Sequence, residues 1–286
     1  MSNYETTDTT ITSEPDENET GSTGETTRES PAPDEYTKTE LMVATAAREL
    51  RDDESVLVGV GVPNLACNLA KRTHAPRLEM VYESGTIDSE PRSLPLSIGD
   101  PVLASGAASV VPMYDGFTKY LQAGRIDVGF LGGAQIDRNG NINSTVIGEY
   151  EDPRVRLPGS GGACEIAINA HRTFVITRHR KRRFPESVDF VTSPGYVNGR
   201  DGREELGLRG GPEGVITDLA VMRFDDDGEL YVSTTHPGVD REEIRKATGW
   251  DVSFADDCET TMPPTYEELR LLREELDPDG LYIDER

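Results

Sequence analysis

Apolar runs alternate along the chain with segments in which apolar residues recur at helical spacing. Residues 55–62 are apolar and β-branched, residues 63–74 have helical periodicity, and residues 77–82 are apolar again. This order predicts a βαβ unit, in which two parallel strands are joined by a helix. Residues 37–51 predict a further helix in front of it.

The same alternation continues toward the C-terminus. Residues 115–123 and 162–170 predict helices, and each precedes a predicted strand, at 125–131 and 173–177. The remaining predicted elements are a strand at 142–147, an antiparallel hairpin of 214–224 with 229–234, and helices at 239–248 and 266–276. We therefore expect an α/β fold with a mostly parallel sheet and an antiparallel hairpin.

The N-terminal segment lacks this pattern. Among the first 35 residues, ten are Asp or Glu, one is Arg, and almost none is a large apolar residue. Such a segment cannot bury enough apolar surface to offset the entropy cost of ordering. We expect a disordered acidic tail over residues 1–36 and one folded domain over residues 37–286.

Charge narrows the possible partners. The chain has 29 Lys and Arg against 53 Asp and Glu, a net charge of -24, and the acidic excess continues beyond the tail. This balance argues against nucleic acid and against an anionic membrane surface as partners, and it is typical of a halophilic protein kept soluble in high salt. The chain has no long apolar window and no basic, apolar start, so we expect a soluble, cytoplasmic protein.

The first candidate for chemistry is a carboxylate in the run Val81-Tyr82-Glu83-Ser84-Gly85. Here a predicted strand ends and a glycine turn begins. In parallel sheets, active sites lie at the carboxyl ends of the strands. Glu83 is therefore a candidate nucleophile, although a solvated carboxylate in a turn fits the position equally well.

The second candidate is a glycine-rich loop, residues 157–163, that leads into a predicted helix. Its central residues are Gly159, Ser160, Gly161, Gly162 and Ala163. Such a loop presents backbone N–H groups to an anion or to a developing oxyanion. A turn that needs positive φ explains the glycines equally well.

The remaining motifs in the sequence predict no further catalytic or metal site. The chain has no G-x-S-x-G motif for a serine hydrolase, and its four histidines lack metal-ligand spacing, so we expect no metal site. Residues 178–183, with the sequence RHRKRR, form a basic segment in an acidic chain. This segment suits an anionic cofactor, an acidic partner subunit or simply a solvated loop.

Six segments taken together resemble one family. They are YESG at 82–85, LPLSIGDP at 94–101, GRIDVGFLGGAQID at 124–137, NINSTVIGEY at 141–150, RLPGSGGACEIA at 156–167 and VDFVTSPGY at 188–196. Over residues 40–250 the chain resembles the B (β) subunit of family I coenzyme A transferases, of the glutaconate CoA-transferase type.

The resemblance implies a three-layer α/β domain built on an open sheet. It implies that Glu83 is the nucleophile, that it forms an acyl-glutamyl anhydride and then a glutamyl-CoA thioester, and that the glycine-rich loop lines the CoA and oxyanion region. It further implies CoA as a substrate without a tightly bound cofactor, and a separate A subunit that supplies the rest of the site.

The expected function is transfer of CoA between an acyl-CoA and a 3-oxo or dicarboxylic acid. Two alternatives stay open. Some relatives of this fold open a ring in a CoA-linked steroid by hydrolysis, with the key glutamate in the partner subunit. The chain is otherwise a non-catalytic subunit that shapes a site held by its A subunit.

Overall fold

The structure is a computed structural model that describes residues 36–91 and 93–283. Apart from Tyr36, the predicted acidic tail lies outside these residues. The strands are β1 (Ser55–Val58), β2 (Glu79–Tyr82), β3 (Thr86–Ile87), β4 (Ser109–Val110), β5 (Val128–Leu131), β6 (Gln135–Ile136), β7 (Ile142–Asn143), β8 (Val146–Gly148), β9 (Pro153–Arg156), β10 (Arg172–Thr177), β11 (Pro212–Thr217), β12 (Ala220–Phe224), β13 (Leu230–Thr235) and β14 (Phe254–Thr260).

The helices alternate with groups of these strands along the chain. They are α1 (Lys38–Arg48), α2 (Val62–Arg72), α3 (Met113–Asp115), α4 (Ala163–Asn169), α5 (Arg200–Glu205), α6 (Arg241–Ala247) and α7 (Tyr266–Arg270), with a short 3₁₀ helix at Pro101–Ala104. Within the described residues, no helix is both long enough and apolar enough to cross a membrane.

One ten-stranded sheet organises the fold, with the order β14-β13-β12-β11-β10-β5-β1-β2-β3-β4. Its central strands β11, β10, β5, β1 and β2 are all parallel. Antiparallel strands flank them on both sides. The predicted α/β class, with a mostly parallel sheet and an antiparallel hairpin, is confirmed.

Two apolar cores lie on opposite faces of the sheet. Val56 and Val58 of β1 belong to the core that contains α1, α2 and the C-terminal helix, whereas Leu57 belongs to the core that contains α4 and α6. Successive side chains of a strand point to opposite faces, so each central strand contributes to both cores. This arrangement produces three layers, helices on either side of the sheet, and explains why the central strands are continuous apolar runs in the sequence.

The prediction for residues 214–224 was wrong in one respect. This run is not a single strand, because Asp218 and Leu219 form a turn between the antiparallel strands β11 and β12. The Thr217 hydroxyl accepts hydrogen bonds from the Leu219 and Ala220 amides, at 3.2 and 3.0 Å, and stabilises a turn that has no glycine. The hairpin predicted around residues 225–228 is present as β12 and β13.

Other boundaries also differ from the prediction. The helix expected over 115–123 starts as α3 and continues as a π-helix, Gly116–Leu121; a second π-helix, Leu271–Leu276, follows α7. The strand expected over 142–147 is divided into β7 and β8. Asn143 causes the division, because its side-chain oxygen accepts hydrogen bonds from the Thr145 and Val146 amides.

Candidate active site

Glu83 directly follows β2, at the carboxyl edge of the parallel strands. The chain turns sharply there, since the Gly85 amide donates to the Tyr82 carbonyl at 2.8 Å. Gly85 has φ 97°, and a Cβ at this position would lie 2.0 Å from the Val111 carbonyl oxygen. The turn therefore requires glycine both for its φ and for the close approach of the segment before α3.

A buried hydrogen bond fixes the end of β2 beneath Glu83. The Tyr82 side chain is fully buried, and its hydroxyl donates to the Asn64 side-chain oxygen on α2 at 2.8 Å. Asn68, one turn further along α2, donates to the same oxygen at 3.1 Å. Sequence reasoning missed this arrangement, because the sequence shows only a tyrosine at a strand end and asparagines on a helix, with no signal that they meet.

The Glu83 carboxyl group is partly buried and unpaired. Burial raises its pKa above the ordinary value. Within residues 36–91 and 93–283, neither a hydrogen-bond donor nor a cation contacts its oxygens. A carboxylate that has lost solvent without gaining a hydrogen bond or a counter-charge keeps its lone pairs available for reaction. Desolvation makes those lone pairs more basic.

The structure brings the glycine-rich loop next to Glu83. A Cβ at Gly162 would lie 3.4 Å from the Glu83 carboxyl carbon and 2.7 Å from the ring of Phe117. Glycine is needed here because any side chain would enter the space between this carboxyl group and the aromatic ring. The two candidates found in the sequence thus belong to one site.

The backbone of the loop is held at both ends. Ser144 bonds Gly159 twice, with its carbonyl accepting from the Gly159 amide at 2.8 Å and its hydroxyl donating to the Gly159 carbonyl at 2.9 Å. Ser160 then stabilises the start of α4, because its hydroxyl accepts from the Cys164 amide at 3.2 Å. Its carbonyl accepts from the Ala163 amide at 2.9 Å.

Between these anchors, three successive amides stay free. The N–H groups of Ser160, Gly161 and Gly162 donate to no acceptor in the described part of the chain. Gly159 and Gly161 have φ of 100° and 52°, and nothing lies within 4 Å of a Cβ built on either. Open space and unused donors are what an anion or a developing oxyanion requires. Of the five loop residues singled out in the sequence, Gly159 and Ala163 donate their amides to the carbonyls of Ser144 and Ser160, respectively.

Several cavities of the described part of the chain lie away from Glu83. Four of them, with volumes of about 440 to 580 Å³, are lined neither by Glu83 nor by the glycine-rich loop. Glu83 stands at the carboxyl edge of the sheet, with its carboxyl group only partly buried. A substrate held only by this chain would stay in contact with solvent at the reacting group.

The histidines near this edge have structural roles. His179 is buried and contacts the hydroxyls of Thr217 and Thr248, and buried His236 contacts the Thr217 carbonyl and the Thr261 hydroxyl. Burial lowers the pKa of each to about 4. Among the described residues, no group of three or more His, Cys, Asp or Glu is arranged to hold a metal ion.

Comparison with known proteins agrees with this fold. The family model for "Coenzyme A transferase" matches residues 39–247. The chain belongs to the coenzyme A transferase family. The predicted resemblance and the prediction of a CoA-transferase enzyme are thereby confirmed.

Two relatives within the coenzyme A transferase family match nearly their whole length. The B subunit of the 3-oxoadipate CoA-transferase of Pseudomonas knackmussii is 48% identical over 240 residues, which cover 83% of this chain and 92% of the relative. The B subunit of the glutaconate CoA-transferase of Acidaminococcus fermentans is 37% identical over 255 residues, covering 87% and 95%. The crystal structure of glutaconate coenzyme A-transferase from the same organism superposes with a TM-score of 0.82 at 35% identity, covering 88% of this chain and 98% of that chain.

Proposed function

We propose that this chain is the B subunit of a heteromeric CoA-transferase that moves CoA between an acyl-CoA and a 3-oxo or dicarboxylic acid through a glutamyl-CoA thioester on Glu83. The observation that carries the proposal is the partly buried, unpaired Glu83 carboxyl group beside the free amides of the glycine-rich loop. The names of the relatives, which act on 3-oxoadipate and glutaconate, support the substrate class.

The first half-reaction follows from the position of Glu83. A carboxylate oxygen of Glu83 attacks the thioester carbonyl of the acyl-CoA. The carbon–sulfur bond breaks, CoA leaves as a thiolate, and an acyl-glutamyl anhydride is formed. The thiolate then attacks the glutamyl carbonyl and releases the donor acid as its carboxylate. The product is a glutamyl-CoA thioester, and an acceptor acid reverses the two steps.

The geometry favours these steps in two ways. Burial raises the pKa of Glu83, so its carboxylate is a stronger nucleophile than a solvated one, and no cation of the described residues occupies its lone pairs. Each attack places negative charge on a carbonyl oxygen. The free amides of Ser160, Gly161 and Gly162 are preorganised donors for that charge, and such donors are worth about 10²–10³ in rate each in other enzymes.

An A subunit completes the proposed site. Glu83 lies at the carboxyl edge of the sheet with its carboxyl group only partly buried, and both relatives are named as B subunits. Closing this edge excludes water from the anhydride and thioester, which would otherwise hydrolyse. We expect the isolated chain to be inactive and the complex to be active.

Trapping the intermediate tests the proposal. The chain is purified with its A subunit, incubated with an acyl-CoA in the absence of an acceptor acid, and reduced with borohydride before peptide mass spectrometry. We expect a reduced glutamyl residue at Glu83, its loss in Glu83→Gln, and a rate at least about 10³-fold lower in that variant. Glu79→Gln serves as the control, because Glu79 is an exposed carboxylate at the other end of β2.

Two results would reject this mechanism. Transfer within a few-fold of the wild-type rate in Glu83→Gln would make Glu83 a spectator and the chain a non-catalytic subunit. Ring opening, or release of free CoA without an acceptor acid, together with an unmodified Glu83, would make the complex a CoA-ester hydrolase.

We further infer that the protein works in a salt-rich cytoplasm. The net charge of -24 makes the folded chain repel itself at low ionic strength, whereas salt screens exposed charges beyond about 8 Å at 0.15 M and about 3 Å at 1 M. The free energy of unfolding in urea should therefore rise between 0.1 and 2 M KCl. A stability maximum at low salt would contradict the inference.

A further inference from the structure

A cavity of about 500 Å³ has an unusual rim for so acidic a chain. The rim carries Arg154 of β9 and three residues of the basic segment, Lys181, Arg182 and Arg183. A tight turn presents these three residues, since the Arg183 amide donates to the Arg180 carbonyl at 2.7 Å. We call this feature the cationic cavity.

The four rim cations lack ion-pair partners. Within residues 36–91 and 93–283 none of them forms an ion pair, whereas the preceding Arg180 pairs with Asp218 at 3.2 Å. Burial and the neighbouring charges of Arg182 and Arg180 lower the pKa of Arg183, and Asp218 offsets this effect only in part. Cations that repel one another are stabilised when an anionic group binds among them.

The N-terminal segment, residues 1–35, joins the fold beside this rim. It connects to the start of α1, where the Thr39 hydroxyl accepts from the Arg178 guanidinium at 3.3 Å. Arg178 is the first cation of the basic segment. Lys181 is three residues further on, a separation that the chain can span only up to about 11 Å. The point where the N-terminal segment enters the fold is therefore close to the cationic cavity.

The N-terminal segment has the charge that the rim lacks. It contains ten Asp or Glu and one Arg, a net charge of -9. Four of these acids fall within the six residues 14–19, namely Glu14, Asp16, Glu17 and Glu19. Seventeen residues separate Glu19 from Tyr36, and an extended chain of that length spans up to about 60 Å. The carboxylates of residues 14–19 are therefore within reach of the rim.

We propose that the acidic N-terminal segment binds the cationic cavity of its own chain and is released as the ionic strength rises. Four carboxylates within residues 14–19 match the four rim cations in number and are opposite to them in charge. While the segment is bound, the rim is closed to other anions. This inference does not depend on the transferase reaction.

Covalent attachment favours this segment over a separate acidic partner. A chain with a net charge of -24 repels an acidic protein that approaches from solution. A tethered segment instead meets the rim at an effective concentration on the order of 1 mM. The match to the family model begins at residue 39, so the segment lies outside the part of the chain that this model describes.

Salt controls the contact because the rim is largely exposed. Arg154, Lys181 and Arg182 are exposed, and charges at such positions are screened beyond about 8 Å at 0.15 M salt but beyond about 3 Å at 1 M. The segment should therefore be bound at low salt and largely released in the salt-rich cytoplasm inferred above.

Zero-length cross-linking tests the contact in the full chain, in complex with its A subunit. A carbodiimide links a lysine amine to a carboxylate that touches it, and Lys181 lies on the rim. The complex is treated in 2 M KCl and in the lowest KCl concentration at which far-UV circular dichroism shows it folded, and its peptides are identified by mass spectrometry. At low salt we expect Lys181 to be linked to carboxylates of residues 1–35, with a yield at least about fivefold higher than in 2 M KCl.

A second lysine provides the internal reference. Lys246 is exposed, lies outside the cationic cavity, and is 3.8 Å from Glu242, one turn away on α6. Because the helix holds these two side chains together, their link should form at both salt concentrations. Lys246 should give no link to residues 1–35.

A rim variant separates charge attraction from mere proximity. Arg154→Ala/Arg182→Ala removes two rim cations but retains Lys181 as the reporter, so the yield of its links to residues 1–35 should fall at least about fivefold at low salt. Arg51→Ala/Arg125→Ala is the matched control. It removes two exposed arginines outside the rim, changes the net charge equally, and should leave the yield unchanged.

The identity of the linked carboxylate decides the occupant. Mixing complexes whose B subunits carry ¹⁴N or ¹⁵N distinguishes a link within one chain from a link between copies. Lys181 linked to the A subunit or to a second copy, in place of its own N-terminal segment, would overturn the proposal. So would the absence of any link from Lys181 to residues 1–35 in a sample where Lys246 is linked to Glu242, or a link that neither salt nor the rim variant weakens.

Discussion

The two edges of the parallel sheet treat charge differently. At the amino edge, Arg172 at the start of β10 pairs with Glu54 at 2.7 Å, and Arg223 of β12 pairs with Glu49. At the carboxyl edge, the Glu83 carboxyl group has no counter-charge within the described residues. The first arrangement stabilises the fold, whereas the second leaves charge available for ligands, which costs stability and is typical of functional sites.

Gly85→Ala should have the largest effect on the carboxyl edge. A Cβ would lie 2.0 Å from the Val111 carbonyl, and φ 97° is strained for alanine, so the turn that carries Glu83 must move. We expect a loss of about 4 kcal/mol or more in the free energy of unfolding, measured in urea, and loss of transfer activity.

The control for this substitution lies at the end of the neighbouring strand. Gly59 follows β1, has no positive φ, and has nothing within 4 Å of the place that a Cβ would occupy. Gly59→Ala should therefore change the free energy of unfolding by less than about 1 kcal/mol. Equal losses in the two variants would mean that the turn at Gly85 is not specially constrained.

Acid should destabilise the protein through two buried histidines behind the carboxyl edge. The pKa of His179 and of His236 is about 4 in the fold, against an ordinary 6.5. Between pH 6.5 and about 4 the unfolded chain binds protons that the folded chain does not, so stability falls as pH falls, by up to about 3 kcal/mol for each histidine.

Urea unfolding at pH 7 and pH 4.5 measures this effect. His236→Gln should reduce the difference between the two pH values, whereas His171→Gln should not, because His171 is exposed. An unchanged pH dependence in His236→Gln would show that other groups control the acid response.

The strands, turns and site residues differ in how far they could be predicted from the sequence. The parallel strands and the turn at Glu83 were predictable, because apolar β-branched runs ending in glycine are local signals. The division between β11 and β12 was not, because the Thr217 hydroxyl stabilises that turn inside a continuous apolar run. The meeting of Gly162 with Glu83 depends on tertiary packing, and the sequence pointed to it only through the family resemblance.

Arg172→Leu tests the amino edge. It leaves the Glu54 carboxylate, which is 14% exposed, without its partner, and we expect a loss of about 2 kcal/mol in the free energy of unfolding with kcat unchanged in the complex. Arg72→Leu removes a more exposed pair with Glu275, so it should cost less than about 1 kcal/mol. A larger effect on kcat than on stability would mean that this edge also serves the reaction.

Tyr82→Phe should produce the smallest effect, and it asks whether the support beneath Glu83 belongs to the fold or to the chemistry. The variant removes the 2.8 Å hydrogen bond to Asn64 but retains the buried ring, so about 1 kcal/mol of stability should be lost. Because the Gly85 turn and the Val111 contact also hold Glu83, kcat should fall by less than about threefold. A fall of more than tenfold at unchanged KM would show that the position of Glu83 depends on this buried hydroxyl. Tyr82 would then belong with the carboxyl edge that we propose to be reactive, and not only with the residues that stabilise the fold.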